Sequence, residues 1–411
     1  MHAQKNSVAM NVADVDVDLY PFLVRYRDGR VERFLRSPFV AASDNPSANR
    51  GVATRDVIVD PGTGVSARLF LPSRAAAAAA AMSRRRLPVV VYIHGGSFCT
   101  ESAFCRTYHR YATSLSASAG ALVVSAEYRL APEHPIPMAY DDAWSALQWV
   151  ASLADDPWLA DYADPGRTFL AGDSAGGNIA YRTAVRASNS GIGIEGLIMV
   201  QPYFWGPDRL PSEAVWDGAA VLPPCGVDRL WPFVTAGQAV NDDARINPPD
   251  EEMRSLSCRR VLVAVAEKDT LRERGLRLFS GIRDGGGEVT LVDSEGEDHG
   301  FHLYSPLRAT SRKLMESIVD FINRPEPLVL GVPTRPFKDP FGYGMDMKQK
   351  CTMAMAYGPT SASSKTGRGN ASKANYGVFA RPAARSDQVY NKLGRPSAVP
   401  LLPRTHVIKN F

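Results

Sequence analysis

The stretch Phe169–Asn178, with the sequence FLAGDSAGGN, joins an apolar run to a helical pattern through closely spaced glycines. The pattern Gly172-x-Ser174-x-Gly176 is typical of a sharp strand-to-helix turn, in which larger side chains at the glycine positions would collide with the neighbouring elements. The start of a helix has unpaired N–H groups and a positive dipole end, which favour negative charge. The stretch therefore predicts a nucleophilic serine, Ser174. A glycine-rich turn with an incidental serine is the alternative.

The composition indicates one large folded domain with extensions. The chain has 411 residues, of which 45% are hydrophobic and 22% are charged, so it can bury a large core. The net charge is +4, but residues 325–411 hold 13 Lys/Arg against 4 Asp/Glu, which leaves the remainder near −5. The basic charge therefore belongs to the tail and gives no support for a nucleic-acid partner of the folded body.

The cysteines and the N-terminus bear on cofactors and location. The five cysteines are scattered without C-x-x-C pairs, which argues against a metal site or a disulfide framework. We expect no metal and no cofactor. The N-terminal residues 1–18 lack a signal-peptide core, and no window reaches the roughly 18 apolar residues needed to span a bilayer. We expect a soluble cytoplasmic protein without a membrane partner, with the nucleus as an additional location.

From Leu87 onward, apolar strands alternate with amphipathic helices, which is typical of a mostly parallel sheet with helices on both faces. The predicted strands are Val89–Ile93, Ala121–Ala126, Thr168–Ala171, Leu197–Gln201, Val261–Ala266 and Val289–Val292. The predicted helices are, approximately, Cys105–Ala119, Pro137–Ser152, Gly176–Ala187, Thr270–Asp284 and Ser305–Ile322.

Four segments depart from this pattern. Residues 1–18 are expected to be mobile, and the alanine run Ala75–Ala81 is expected in a surface loop, with a short exposed helix as the alternative. Residues 202–254 form a long insertion of the kind that makes lids or substrate-binding walls. Residues 325–411 have no periodicity, and we expect a disordered, basic tail.

A serine hydroxyl is a weak nucleophile and needs a base, which in turn needs an acid to orient it. When a serine sits in such a turn, the acid and then the histidine follow it on loops after later strands. Asp269 and His299 satisfy this order. A helix cap is the alternative for Asp269. His302 is the competing histidine, but it approaches the next helix and is expected to pack or hydrogen-bond there.

A second glycine pair could stabilise the oxyanion that acyl transfer produces. His94-Gly95-Gly96 follows an apolar strand, and the missing side chains would let backbone N–H groups approach a ligand oxygen. We expect donors from Gly95, Gly96 and Ala175 to converge on one oxygen. A plain turn is the alternative for a lone His-Gly-Gly.

Several of these motifs together resemble the hormone-sensitive-lipase-like branch of the α/β-hydrolases. They are His94-Gly95-Gly96, Tyr128–Pro135, Gly172–Asn178 and Asp298–Phe301. Within that branch, Tyr20–Phe22, Asp28–Arg33 and Glu267–Gly275 are similar to plant carboxylesterases. The resemblance covers about residues 15–324, whereas the tail departs from it. Ser97 stands where the usual loop has a third glycine.

The resemblance implies an α/β-hydrolase catalytic domain over residues 19–324, with a cap from about residues 19–50 and 202–254. It implies hydrolysis of small-molecule carboxylic esters through an acyl-enzyme. Ser174 would be the nucleophile, His299 the general base and then acid, and Asp269 the residue that orients the imidazole.

The same branch includes gibberellin receptors, which lack the catalytic histidine, and 2-hydroxyisoflavanone dehydratases. His299 argues against a receptor-like binder, whereas Ser174 does not exclude a dehydratase. Phe98, Trp205 and Trp231 are candidates to line an apolar substrate pocket, although such aromatic residues are at least as often core residues. The oligomeric state and the natural ester are not defined by the sequence.

Overall fold

An eight-stranded sheet forms the centre of the computed structural model, which describes residues 14–81, 86–153, 156–214 and 221–324. Its strands are β4 (Val52–Asp60), β5 (Val65–Pro72), β6 (Leu87–Ile93), β7 (Leu122–Glu127), β8 (Ala163–Asp173), β9 (Gly196–Val200), β10 (Arg260–Ala266) and β11 (Glu288–Ser294). From one edge to the other the strand order is β4-β5-β7-β6-β8-β9-β10-β11. Strand β5 is antiparallel to both of its neighbours, and the other pairs are parallel.

The connections between strands contain most of the helices, as expected for parallel strands joined by crossovers. The helices are α1 (Ser73–Ala81), α2 (Arg106–Ala119), α3 (Met138–Ser152), α4 (Pro157–Tyr162), α5 (Ala175–Ser190), α6 (Pro211–Ala214), α7 (Pro224–Val234), α8 (Asp250–Arg254), α9 (Arg272–Asp284), α10 (Phe301–Tyr304) and α11 (Ala309–Asn323). No helix among the described residues is long and apolar enough to cross a bilayer.

The predicted architecture, a mostly parallel sheet with helices on both faces, is confirmed. The packing of strand β6 on both faces explains why its sequence is one continuous apolar run. Val91 and Ile93 belong to the core cluster that includes residues of α3, α5 and α9, whereas Val90 and Tyr92 belong to the cluster with residues of α2 and α11. Because successive side chains of a strand point to opposite faces, a strand covered on both sides needs apolar residues at every position.

Some predicted boundaries are wrong. Residues 15–18, expected to be mobile, belong to strand β1 (Val15–Leu19), which pairs with β2 (Leu23–Tyr26). Strand β2 also pairs with β3 (Val31–Arg33) across the Asp28-Gly29 turn. The alanine run forms helix α1 rather than a loop, consistent with the high helix propensity of alanine. Residues 1–13 of the N-terminus and the tail at 325–411 lie outside the described residues.

The last predicted helix, Ser305–Ile322, begins later in the structure than expected. The short turn α10 ends at Tyr304, and α11 begins only at Ala309. Pro306 explains the break, because proline has no N–H to continue the helical hydrogen bonds.

A buried ion pair connects the insertion to the rest of the fold. Arg274 of α9 donates from Nε and one Nη to the two carboxylate oxygens of Glu213 of α6, at 2.6 and 2.9 Å. The same Nη also donates to the backbone oxygen of Asp208. The side chains are 6% and 0% exposed. Removing one partner would leave the other charged and buried, which is strongly destabilising.

We predict that Glu213→Gln and Arg274→Met each lower the free energy of unfolding by about 3–5 kcal/mol. The apolar double variant Glu213→Leu/Arg274→Met should recover much of that loss, because neither charge then remains buried. Urea unfolding of the four proteins measures these differences. The exposed pair Arg186–Asp141 provides the matched control, and Asp141→Asn should cost less than about 1 kcal/mol. Equal effects at the buried and exposed pairs would contradict the prediction.

Candidate active site

Ser174 lies at the turn between β8 and α5, where the backbone has φ 51° and ψ −121°. A positive φ is unusual for a residue with a side chain. The glycines on either side allow the turn to be tight. A Cβ on Gly172 would lie 2.3 Å from the Gly176 oxygen, and a Cβ on Gly176 would lie 2.1 Å from the Ile93 oxygen. Neither position can carry a larger residue, so the predicted role of the two glycines is confirmed.

The three residues predicted to form a triad come together in one hydrogen-bond chain. His299 Nε2 lies 2.9 Å from Ser174 Oγ, and His299 Nδ1 lies 2.8 Å from Asp269 Oδ2. Because a carboxylate only accepts, the proton between Asp269 and His299 belongs to Nδ1, and in the neutral ring Nε2 is free to accept from the serine. The chain is mostly buried: Asp269 is 3% exposed and Ser174 is 9% exposed.

The charge around His299 favours its protonated form. Burial alone would lower the pKa of His299, but the charge and hydrogen bond of Asp269 raise it, with smaller contributions from Asp173 and Asp298. The net result is a pKa above the ordinary imidazole value of 6.5. A base with a raised pKa accepts a proton more readily, as general-base chemistry requires.

The contacts of Asp269 and His302 bear on the alternatives for the acid and for the histidine. Asp269 also caps the chain ahead of α9, because its Oδ1 accepts from the Leu271 N–H at 2.9 Å while Oδ2 binds the imidazole. The two interpretations of Asp269 are therefore compatible. His302 makes no hydrogen bond to Ser174 and is buried, with its ring nearly perpendicular to the rings of Tyr111 and Phe301. It packs as expected, but its ring nitrogens have no hydrogen-bond partner among the described residues.

Gln201, directly after β9, holds the loop that carries His299, a role that the sequence motifs did not predict. Its side-chain N–H donates to the backbone oxygen of Asp298 at 3.1 Å, and its side-chain oxygen accepts from the Gly300 N–H at 2.9 Å. The two bonds flank His299 on either side. Gln201 is 3% exposed and has a positive φ of 48°. A polar residue at the end of an otherwise apolar strand was the only available signal.

The loop 94–98 after β6 was predicted to supply oxyanion donors, and Gly95 does not fit that prediction. The N–H of Gly95 donates to Tyr108 Oη at 2.9 Å and to Asp173 Oδ1 at 3.1 Å, so it is already used within the protein. In contrast, the N–H groups of Gly96, Ser97 and Ala175 have no acceptor among the described residues. Gly96 and Ala175 thus remain candidates, and Ser97 joins them.

Asp173 forms a buried polar cluster behind Ser174. Tyr92 Oη donates to Asp173 Oδ1 at 2.7 Å, and Tyr108 Oη donates to Oδ2 at 2.9 Å. Burial raises the pKa of Asp173 to about 6, although both tyrosine hydrogen bonds act to lower it. Gly95 must be a glycine here, because a Cβ would lie 2.5 Å from Asp173 Oδ2.

The aromatic residues considered for a substrate pocket are core residues in this structure. Phe98 is 1% exposed, and Trp205 and Trp231 are fully buried. The indole N–H groups are satisfied inside the protein, by Asp228 and Asp243. Phe98 packs edge-on against Trp231 with ring centroids 5.7 Å apart. The structure therefore favours the core alternative for all three.

Comparison with known proteins agrees with this arrangement. Residues 90–303 match the family described as the alpha/beta hydrolase fold. The chain belongs to the α/β-hydrolase family. Within it, the chain belongs with the plant carboxylesterases and related enzymes of the hormone-sensitive-lipase-like branch.

Three relatives illustrate this membership. A 2-hydroxyisoflavanone dehydratase of Glycyrrhiza echinata is 39% identical over 328 residues, which cover 75% of this chain and 96% of that relative. Probable carboxylesterase 5 of Arabidopsis thaliana is 37% identical, covering 75% and 99%. The chloroplastic tuliposide A-converting enzyme 1 of Tulipa gesneriana is 39% identical, covering 75% and 78%.

Solved structures resemble the fold as well. A hyperthermophilic esterase from Pyrobaculum calidifontis is 28% identical with a TM-score of 0.56, covering 66% of this chain and 84% of that one. A thermostable carboxylesterase from a metagenomic library is 28% identical with a TM-score of 0.57, covering 70% and 89%.

We predict that the pKa of His299 lies above 6.5 in the wild type and falls in Asp269→Asn. The variant keeps the burial that lowers the pKa and loses the charge that raises it. In the wild type, the proton-accepting neutral ring then predominates only above the raised pKa. An NMR titration of labelled histidine measures both values, with His299→Gln identifying the resonance. An unchanged pKa in Asp269→Asn would show that the carboxylate does not control the imidazole.

Proposed function

We propose that this protein is a serine carboxylesterase that hydrolyses small-molecule carboxylic esters through an acyl-enzyme. The observation that carries the proposal is the continuous hydrogen-bond chain from Ser174 through His299 to Asp269. Relatives named carboxylesterase and neighbours named esterase support the same reaction class.

In the acylation step, Ser174 Oγ attacks the ester carbonyl carbon while His299 Nε2 accepts the hydroxyl proton. Asp269 keeps the other ring proton on Nδ1 and stabilises the imidazolium that forms. The tetrahedral intermediate then breaks its bond to the leaving alkoxide, which takes the proton from His299 and departs as the alcohol. Ser174 is left as an acyl ester.

We assign the oxyanion of the intermediate to the N–H groups of Gly96, Ser97 and Ala175. They lie at the two segments that meet beside Ser174, and none has another acceptor among the described residues. The N-terminal end of α5 adds its dipole. Preorganised donors of this kind stabilise developing charge without rearrangement during the reaction.

Deacylation repeats the chemistry with water. His299 removes a proton from the water as it attacks the acyl carbon, and then returns that proton to Ser174 Oγ as the carboxylic acid leaves. The same imidazole therefore acts as base and then acid in each half-reaction.

The first prediction of this mechanism concerns the serine and the histidine. Ser174→Ala and His299→Ala should each lower kcat for p-nitrophenyl acetate by roughly 10⁶-fold, and the double variant should lose little more, because the residues act as one unit. Hydrolysis by the purified proteins measures this effect, with circular dichroism checking that each variant is folded. Retained activity in folded Ser174→Ala would refute the proposal.

A second prediction concerns Gln201 as a positioning residue. Gln201→Leu removes both bonds that flank His299 and should lower kcat by about 100-fold, because small displacements of a catalytic group have large effects. Gln201→Glu keeps an acceptor for Gly300 and should lose less. Kinetics with p-nitrophenyl butyrate would show the change mainly in kcat. Equal kcat values in the wild type and folded Gln201→Leu would rule out this role.

Elimination of water is the second candidate function, since one relative at 39% identity is named a 2-hydroxyisoflavanone dehydratase. Incubation of the protein with a 2-hydroxyisoflavanone, followed by chromatography for the dehydrated product, separates this function from ester hydrolysis. The cytoplasmic location stays a prediction, since some relatives are named chloroplastic or amyloplastic enzymes.

A further inference from the structure

A cavity of about 730 Å³ lies between α2, the segment that contains α10, and the first turns of α11. None of Ser174, Asp269 and His299 lines it, so it is distinct from the triad. Its volume falls in the range typical of small-molecule sites.

The cavity is strongly basic. None of the residues that line it is Asp or Glu. The lining includes five arginines, which are Arg50, Arg106, Arg110, Arg308 and Arg312. Arg308 pairs with Glu297 at 2.8 Å. Among the described residues, the other four arginines have no ion-pair partner. A concentration of guanidinium groups without neutralising carboxylates attracts anions and can bind them through paired N–H donors.

The inner wall adds a buried polar group without a partner. His302 lines the cavity and is 4% exposed, and neither of its ring nitrogens has a hydrogen bond within the described residues. Burial lowers the pKa of His302 to about 3, so the ring is neutral and has one donor and one acceptor. Buried polar atoms are rarely left unpaired, because the loss of hydration is costly.

The rest of the lining is apolar enough to hold more than an inorganic ion. Leu303, Leu307, Met315 and the ring of Tyr111 contribute to it. Leu307 is 86% exposed, which is unusual for a large aliphatic side chain beside a cavity. A ligand with a hydrocarbon or aromatic body would cover this surface.

We propose that this cavity binds a small organic anion, whose sulfonate, phosphate or carboxylate head is held by the unpaired arginines and whose apolar body lies against Leu307 and Met315. The proposal goes beyond the proposed ester hydrolysis and does not depend on it.

Calorimetry with naphthalene-1-sulfonate as the probe tests the proposal on the purified full chain. The sulfonate should bind at least about tenfold more tightly than neutral 1-naphthalenemethanol, and its affinity should fall as NaCl is added. Arg110→Gln/Arg312→Gln should weaken sulfonate binding about tenfold or more. Equal affinity in this variant and the wild type would overturn the proposal.

The control variant is Arg27→Gln/Arg74→Gln, which removes the same charge from exposed arginines outside the cavity. It should bind the sulfonate as the wild type does, and an equal loss would reduce the effect to net charge. Protein whose Ser174 has been blocked with phenylmethylsulfonyl fluoride should also bind as before. Loss of binding there would place the sulfonate in the triad site and overturn the proposal.

A lipid headgroup presents the same anionic chemistry, and a separate measurement distinguishes the two sources. We expect no co-sedimentation with vesicles of phosphatidylcholine and phosphatidylglycerol. Arginine-dependent sedimentation without sulfonate binding would assign these arginines to a lipid surface and overturn the small-molecule site. Hydrolysis of p-nitrophenyl acetate, measured in parallel, reports on the proposed ester hydrolysis independently.

Discussion

The close approach of α5 to the end of β6 is the constraint on which the site depends. Gly176 has no side chain, so the first turn of the helix can lie against the Ile93 and His94 carbonyls. This contact brings the Ala175 amide beside the loop 94–98, while the strained backbone at Ser174 directs its hydroxyl toward His299. Any larger residue at position 176 would separate the helix from the strand and move the nucleophile away from both.

The carboxyl ends of four adjacent parallel strands supply the remaining parts. Strand β8 leads into Ser174, β10 leads into Asp269 and β11 leads into His299. Strand β9, which lies between β8 and β10, leads into Gln201. Neighbouring strands end at the same edge of a parallel sheet, so residues far apart in sequence meet there. The strands then set the distances between these residues, and the residues themselves lie on the short loops that follow the strands.

The sequence predicted the sheet and the three residues of the hydrogen-bond chain because each depends on a local pattern: apolar runs, a Gly-x-Ser-x-Gly turn, and chain order. It did not predict which amide near the oxyanion loop is free. Gly95 and Gly96 look equivalent in sequence, and only the fold shows that Tyr108 and Asp173 already accept the Gly95 N–H. Gln201 and the burial of Trp205 and Trp231 also depend on long-range packing, which leaves no periodic signal.

Asp173 is covalently adjacent to the nucleophile, yet its carboxylate holds the amide of Gly95 on another strand's loop. One residue therefore connects, through its side chain, two halves of the site that the chain separates by almost eighty positions. A movement of the serine turn away from the facing loop would have to break this bond and leave a buried carboxylate with one donor fewer. The hydrogen bond therefore couples the position of the nucleophile to the position of the loop that faces it.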